Sequence, residues 1–237
     1  MNIPARNTLV AALNYPDTLS CKPGLSAALG GAKAAQLSRV IGEQVLRQSL
    51  PVANEFRATI YYAPEESHRQ VERWLAWARG RTTFESHATA TPADAIHWAF
   101  DHGASKVVQI GTYCLGVDRP LVERLFEGLE QDAAIVGPGD NGDCYLLALR
   151  EYRPGLLDGI PWGTPDTCEA VMTRLEAAGM DFEVMEDEVI IEQPEDLARI
   201  SPNLLGVMRP NVREQLRILG FEDVVARANM PNEDTLV

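Results

Sequence analysis

The stretch that decides the fold covers residues 106–149. It opens on an apolar run, Val107-Val108-Gln109-Ile110, and breaks at Gly111-Thr112-Tyr113-Cys114-Leu115-Gly116. A helix-like segment follows over residues 118–131. A second apolar run, Ala133-Ala134-Ile135-Val136, stops at Gly137-Pro138-Gly139-Asp140-Asn141-Gly142-Asp143, and a third run, residues 144–149, starts at once. Short apolar runs bounded by turn residues read as buried strands. Strand, helix, strand predicts a right-handed crossover in a parallel sheet. Ligands of such sheets bind beyond the carboxyl ends of the strands, so an active site is expected between Gly111 and Asp143.

Working outward, residues 9–13 form a first strand, ended by the turn chemistry of Asn14-Tyr15-Pro16-Asp17. A loop carrying Lys22-Pro23-Gly24 leads to an amphipathic helix over 32–48, with Ala35, Leu37, Val40, Ile41, Val45 and Leu46 at helical spacing. Residues 57–62 read as a strand, 65–79 as a helix and 82–84 as a short strand. Thr91-Pro92 opens a further helix, since proline suits a first turn. Beyond the central stretch, Asp166 is positioned to cap a helix reaching 178. Residues 182–185 and 189–191 read as strands and 194–200 as a short helix. Strands alternating with helices define a doubly wound α/β sheet, assigned to residues 1–200. Residues 201–237 form a tail with helical patterns at 212–219 and 221–228. Leu204, Leu205, Val207, Leu216, Leu219, Phe221, Val224 and Val225 call for burial on the domain or on a second copy of the chain, a homodimer.

Composition narrows the function. Of 237 residues, 34 are acidic and 21 basic, a formal net charge of −13 that repels nucleic acid and anionic membranes. No apolar run has the length of a membrane span, and Met1 to Thr8 lacks a signal-peptide layout. Cys21, Cys114, Cys144 and Cys168 have no zinc-ligand spacing and read as reduced thiols of a cytoplasmic protein, packing as small hydrophobes. His97 and His102 fall in or beside one helix, in solvated or capping roles.

Several motifs in a fixed order resemble the nucleotide-diphospho-sugar transferase-like proteins associated with selenodomain clusters, which have a GT-A glycosyltransferase fold. The family's Gly-Ser-Asp-Cys-Pro stands as Gly111-Thr112-Tyr113-Cys114-Leu115. Its Gly-Pro-x-x-Asp-Gly-Gly-Tyr-Tyr-Leu stands as residues 137–146, and its Gly-Ile-x-Trp-Ser-Thr as Gly159-Ile160-Pro161-Trp162-Gly163-Thr164. Its closing Asp-Val-Asp-Thr-Pro-Glu-Asp-Leu stands as residues 190–197. Near the N-terminus, laid without gaps, its first lysine falls on Asn14, and its Lys-Thr-Arg-Leu on Lys22-Pro23-Gly24-Leu25. The resemblance implies a cleft for a nucleotide or nucleotide sugar, lined by Asn14, Lys22, Tyr113, Asp140, Asn141, Trp162 and Thr164. Asp140 or Asp143 would serve as base and Lys22 as phosphate contact.

The departures bear on the metal. Transferases of this type commonly stabilise the departing diphosphate with a carboxylate-held divalent ion. Here the acidic position after Gly-Ser is Tyr113, the aspartate before Gly-Gly is Asn141, and Asp-Val-Asp has become Ile190-Ile191-Glu192. Among the candidate ligands Asp140, Asn141, Asp143 and Glu192, only Glu192 keeps a carboxylate where the pattern has an aspartate, so weak binding of magnesium or manganese and feeble or lost metal-dependent transfer are expected. Other readings stand beside these. Residues 140–143 also fit a tight hairpin turn, Lys22 a solvated loop lysine, Trp162 a packing residue, and residues 192–196 a helix start with acidic residues at its positive end.

Overall fold

The computed structural model describes residues 7–19 and 21–227. The expectations for residues 1–6 and for 228–237 lie outside them. In chain order the elements are β1 (Asn7–Asn14), α1 (Pro23–Leu29), α2 (Gly31–Ser49), β2 (Arg57–Ala63), α3 (His68–Trp74), β3 (Thr83–Ser86), α4 (Pro92–Asp101), β4 (Lys106–Ile110) and α5 (Arg119–Gly128). There follow β5 (Ala134–Pro138), β6 (Cys144–Leu149), α6 (Thr167–Ala177), β7 (Phe182–Val184), α7 (Pro202–Gly206), α8 (Pro210–Ile218) and α9 (Glu222–Arg227).

The strands form one sheet in the order β3-β2-β1-β4-β6-β5-β7. β1 pairs in parallel with β2 and β4, β2 with β3, and β5 with β7. β6 alone is antiparallel, lying between β4 and β5. The expected β4-α5-β5 connection therefore joins two strands that run the same way but are separated by β6, which turns back immediately after β5. β1, β4, β5 and β6 are apolar and almost wholly buried, as expected of strands with helices on both faces. One core lies under α2, α3 and α5 and takes in Leu9, Leu37, Ile41, Ile60, Val108 and Ile110; the other, under α4 and α6, holds Val10, Ile96, Val107, Leu147 and Val171.

Three local expectations change. The helix expected over 65–79 divides into a 3-10 turn (Glu65–Ser67), α3 and a second 3-10 turn (Ala76–Ala78), and the break at Leu75 lets Val71, Leu75 and Ala78 all reach full burial. Residues 189–191 form no strand. Of them only Ile190 makes an isolated bridge, to Cys114, and the preceding Glu188 makes another to Gly139, so no continuous ladder forms. The loop around Lys22 holds a helix, α1, which Pro23 opens as a first-turn residue. Asp166 does precede α6, but its side chain makes no capping hydrogen bond.

The tail helices share the first core. Leu205, Met208, Val212, Leu216, Leu219, Val224 and Val225 are buried there. Gln36 bonds Gln215 across α2 and α8 at 3.0 Å, the Arg209 N–H donates to Gln44 at 3.3 Å, and the Arg227 guanidinium donates to the carbonyls of Ala198 and Ile200 at 2.7 Å each.

Candidate functional site

Because β1, β2, β4 and β5 run the same way, Asn14, Ala63, Ile110 and Pro138 end on one edge of the sheet, where β6 begins at Cys144. Asn14 is exposed at the tip of β1. The loop after it is tied down by Tyr15 N–H to the Ala63 carbonyl (2.7 Å) and by Arg39 to the Pro16 carbonyl (2.6 Å). It delivers Lys22 to the edge. There the Lys22 ammonium pairs with Glu192 and lies 5.0 Å from the centre of the Tyr113 ring. The Ile191 N–H, donated to the Tyr113 carbonyl at 3.0 Å, joins the two chain segments below the pair. Lys22 is thus not a solvated loop lysine: its side chain is 22% exposed and its charge is partnered. Burial pushes the Tyr113 hydroxyl up to about 12. Gly24 is needed where it stands, because a Cβ there would lie 2.5 Å from the Glu192 carbonyl oxygen.

The second half of the edge is the turn at 140–143, closed by Gly139 N–H to the Asp143 carbonyl (2.6 Å) with Gly142 at φ +84°. The Asn141 side-chain oxygen accepts the Asp143 N–H at 3.0 Å. Asp143 accepts from the N–H groups of Cys144 (2.9 Å) and Gly163 (3.3 Å), which fastens the turn to the segment carrying Trp162 and Thr164. The hairpin-turn reading holds. Trp162 is partly buried against the α6-side core, also as expected of a packing residue. The Thr164 hydroxyl is spent locally, donating to the Pro161 carbonyl at 2.8 Å. Asp140 points the other way: it pairs with Arg199 and accepts the Ile190 N–H at 3.4 Å. Residues 193–196 form a reciprocal cap on a 3-10 turn (Pro194–Ala198), and the buried Asp196 also accepts the Glu192 N–H at 2.9 Å.

The structure therefore gathers Lys22, Tyr113 and Glu192 into one contact group. A second group holds Asn141 and Asp143 with the Gly163 N–H, and Asp140 pairs with Arg199 apart from both. Sequence reasoning missed Arg199, whose charge answers Asp140 from 59 positions away, and Glu188. The Glu188 carboxyl is pushed up by burial and by Glu186, and packs against Gly116, where a Cβ would lie 2.6 Å from it. A divalent ion fits this donor set poorly. Glu192 and Asp140 each face a cation, Asp143 and Asn141 accept backbone N–H groups, and no group of three or more His, Cys, Asp or Glu among the described residues could hold a metal ion. His97 pairs with Asp101 at 2.9 Å and His102 follows the last residue of α4. A cavity of about 770 Å³ lies at the opposite edge, among Thr8, Arg57, Thr59, Thr83, Trp98 and His102 at the amino ends of β1 to β3.

Comparison with known proteins fixes the class of the fold. A family described as "Uncharacterized protein conserved in bacteria (DUF2064)" matches residues 48–164, which include the edge from Gly111 to Asp143. Among curated proteins nothing matches. A solved protein from Desulfovibrio desulfuricans G20, provisionally named a nucleotide-diphospho-sugar transferase, superposes with a TM-score of 0.75 at 21% identity, over 96% of this chain and 100% of its own. A mannosyltransferase from Pyrobaculum calidifontis, solved with GDP-Man and Mn2+, gives 0.50 at 14% identity, over 94% of this chain and 72% of its own. A cytidylyltransferase from Leptospira borgpetersenii gives 0.50 at 9%, over 96% and 98%. The fold is thus an α/β fold with a mostly parallel seven-stranded sheet, matching that of the solved Desulfovibrio desulfuricans protein over its full length. None of the described helices is long and apolar enough to cross a membrane.

Proposed function

We propose that the carboxyl edge of the sheet binds a nucleotide or nucleotide sugar in a GT-A-type site, and that metal-dependent sugar transfer at this site is feeble or lost. The observation that carries the reading is the Lys22–Tyr113–Glu192 group. A cation and an aromatic ring meet beyond the strand ends, in a fold whose full-length likeness is to a provisionally named nucleotide-diphospho-sugar transferase. Lys22 is the phosphate contact, Tyr113 the stacking surface for base or sugar, and Asn14, Asn141, Trp162 and Thr164 the surrounding wall. In any residual chemistry Asp140 or Asp143 acts as base. The low metal affinity follows from ion pairing: Lys22 and Arg199 already neutralise the carboxylates that a divalent ion would need, and releasing them offsets part of the gain from metal binding.

The same pairs favour a second reading, a non-catalytic nucleotide-binding or interaction protein of transferase ancestry. A thermal-shift panel of nucleoside diphosphates and nucleotide sugars, with and without magnesium or manganese, tests the first. Ligands that bind only the folded state raise its apparent stability. The expected result is stabilisation by at least one nucleotide, with little added by metal. A flat response across the panel would overturn nucleotide binding and leave the interaction reading. Metal-dependent turnover of a nucleotide sugar by the unmodified chain would overturn the claim of feeble activity.

A further inference from the structure

The cavity of about 770 Å³ lies at the amino edge of the sheet, remote from Lys22 and Tyr113. Its volume falls within the roughly 300–1,000 Å³ typical of small-molecule clefts. Strand register lays out its floor. Thr59 of β2 stands beside Thr83 of β3, and Thr8 of β1 beside Arg57 of β2, and all four line the cavity. Alternate residues of a strand share a face, so Arg57 and Thr59 lie on the side of Tyr61, which belongs to the core under α4. α4 packs chiefly on β1 and β4, and its end supplies the facing wall through Trp98, Ala99 and His102. That wall is preformed: the Trp98 and His102 rings stack at 4.3 Å, and the His102 ring bonds the Trp98 carbonyl at 2.7 Å.

Polar groups occupy this floor where a closed core would have apolar ones. Thr8 and Thr59 are 5% and 4% exposed, whereas the next residue on the same face of β1 is Val10. The Thr59 and Thr83 hydroxyls bond each other at 2.9 Å. Two hydroxyls sharing one bond spend one hydrogen, and the other is left to donate outside the pair. Positive charge gathers at one end. Arg57 is exposed and forms no ion pair among the described residues. Arg81 donates to the carbonyls of Pro51 (2.8 Å) and Leu50 (3.0 Å), which orient its guanidinium without cancelling its charge. Each arginine stands two residues before one of the paired threonines, so both lie at the same end. The carboxylates of the lining do not answer them. Glu55 is taken up by the N–H groups of Val52 (3.0 Å) and Ala53 (2.8 Å), and Glu85 stands two residues past Thr83, at the other end.

We propose that this cavity binds a small organic anion with an apolar body. The carboxylate or phosphate of the ligand meets Arg57 and Arg81, whose planar forks suit either group. A ligand oxygen accepts the spare hydrogen of the Thr59–Thr83 pair, and the apolar body lies against Trp98 and Ala99. The site is at the opposite end of the strands from the candidate nucleotide edge, and it stands whether or not that edge binds a nucleotide.

The test titrates the isotope-labelled full chain with benzoate, phenyl phosphate, benzyl alcohol and inorganic phosphate, and follows backbone amide shifts by NMR. At least one of the two ring anions should shift the amides of Arg57, Thr59 and Thr83 and saturate below about 10 mM. Which of them saturates at the lower concentration tells a carboxylate site from a phosphate site. Benzyl alcohol lacks the charge and inorganic phosphate lacks the body, so neither should saturate in that range. Arg57→Gln should weaken the binding by about tenfold or more, with the spectrum unchanged away from the cavity. Affinity of the parent should also fall as salt is raised, because the charge contact is partly exposed. That measurement decides the matter should Arg57→Gln fail to fold. The proposal is overturned if neither ring anion saturates, or if benzyl alcohol or inorganic phosphate saturates equally well. It is likewise overturned if the shifts fall only on Lys22, Tyr113 and Glu192, or if neither salt nor Arg57→Gln changes the affinity.

Discussion

The two halves of the carboxyl edge hold their carboxylates differently. Towards α1, Glu192 faces Lys22 and Asp140 faces Arg199, side chain to side chain. Towards α6, Asp143 faces backbone N–H groups from Cys144 and Gly163, and Asn141 accepts the N–H of Asp143. A pair of partly exposed side chains contributes little to stability and can be exchanged for an incoming ion. A carboxylate that satisfies backbone donors cannot be freed without opening the turn it holds. The α1 half is therefore the part that can respond to a ligand, and the α6 half is its scaffold.

Breaking the scaffold should give the largest effect. Gly142 has φ +84°, and any Cβ there would collide with the Pro165 carbonyl. In Gly142→Ala the left-handed backbone costs about 1–2 kcal/mol and the collision about 1–3 kcal/mol more, so a loss of about 4 kcal/mol is expected from urea denaturation. A loss under about 1 kcal/mol would show that the turn is plastic and that the two halves do not differ as described.

Asp196 holds the α1 half together. It is 5% exposed and accepts the N–H groups of Glu192 (2.9 Å) and Gln193 (3.0 Å). Asp196→Ala strands those donors and should cost about 3 kcal/mol. It should also loosen Glu192 from Lys22, so the nucleotide response in a thermal-shift assay should change with it. Unchanged stability would mean that water replaces the lost acceptor.

Alkaline pH gives a smaller and more selective probe. With Tyr113 pushed up to about 12 from its usual 10, the folded state keeps a proton that the unfolded chain gives up between those values. That contribution is whole below about pH 10 and is lost as pH rises towards about 12. The parent should then lose stability more steeply than Tyr113→Phe across this window, by at most about 1.4 kcal/mol per pH unit, while the two should lie close together at neutral pH. Tyr61, pushed up to about 12 by its own burial, titrates in both proteins and cancels in the difference. Parallel curves would place the Tyr113 hydroxyl in water.

What the sequence disclosed follows the range of the interactions. The strands at residues 106–110, 134–138 and 144–149 were legible because burial on both faces leaves an unbroken apolar run, and turn residues mark its ends. The turn at 140–143 was legible for the same local reason, since Asn-Gly specifies it. By contrast, the antiparallel insertion of β6 depends on which neighbour a strand chooses, and an apolar run says nothing of direction. α1 was hidden because Pro23-Gly24 reads as a turn, and only packing against Glu192 reveals why glycine sits there. The Lys22–Glu192 pair spans 170 positions and the Arg199–Asp140 pair 59, beyond any local pattern. The motif series brought Lys22, Tyr113 and Glu192 into consideration, but not their mutual contact.

The smallest expected change in stability carries the most functional information. Lys22 and Glu192 have side chains 22% and 32% exposed, so Glu192→Gln should cost under about 1 kcal/mol. Its effect on ligands should be larger. In the parent an incoming phosphate must displace Glu192 from Lys22; in Glu192→Gln the ammonium meets no competing charge. Nucleoside diphosphates should therefore stabilise the variant more than the parent, and the gain should shrink as salt is raised, since added ions screen the freed charge. Lys22→Met should abolish the gain in either background. If Glu192→Gln leaves the nucleotide response unchanged while Lys22→Met also leaves it unchanged, the pair is structural and any nucleotide site lies elsewhere on the edge. If Glu192→Gln weakens the response and Lys22→Met weakens it equally, Glu192 orients Lys22 towards the ligand rather than competing with it, and the exchangeable half of the site works as a unit.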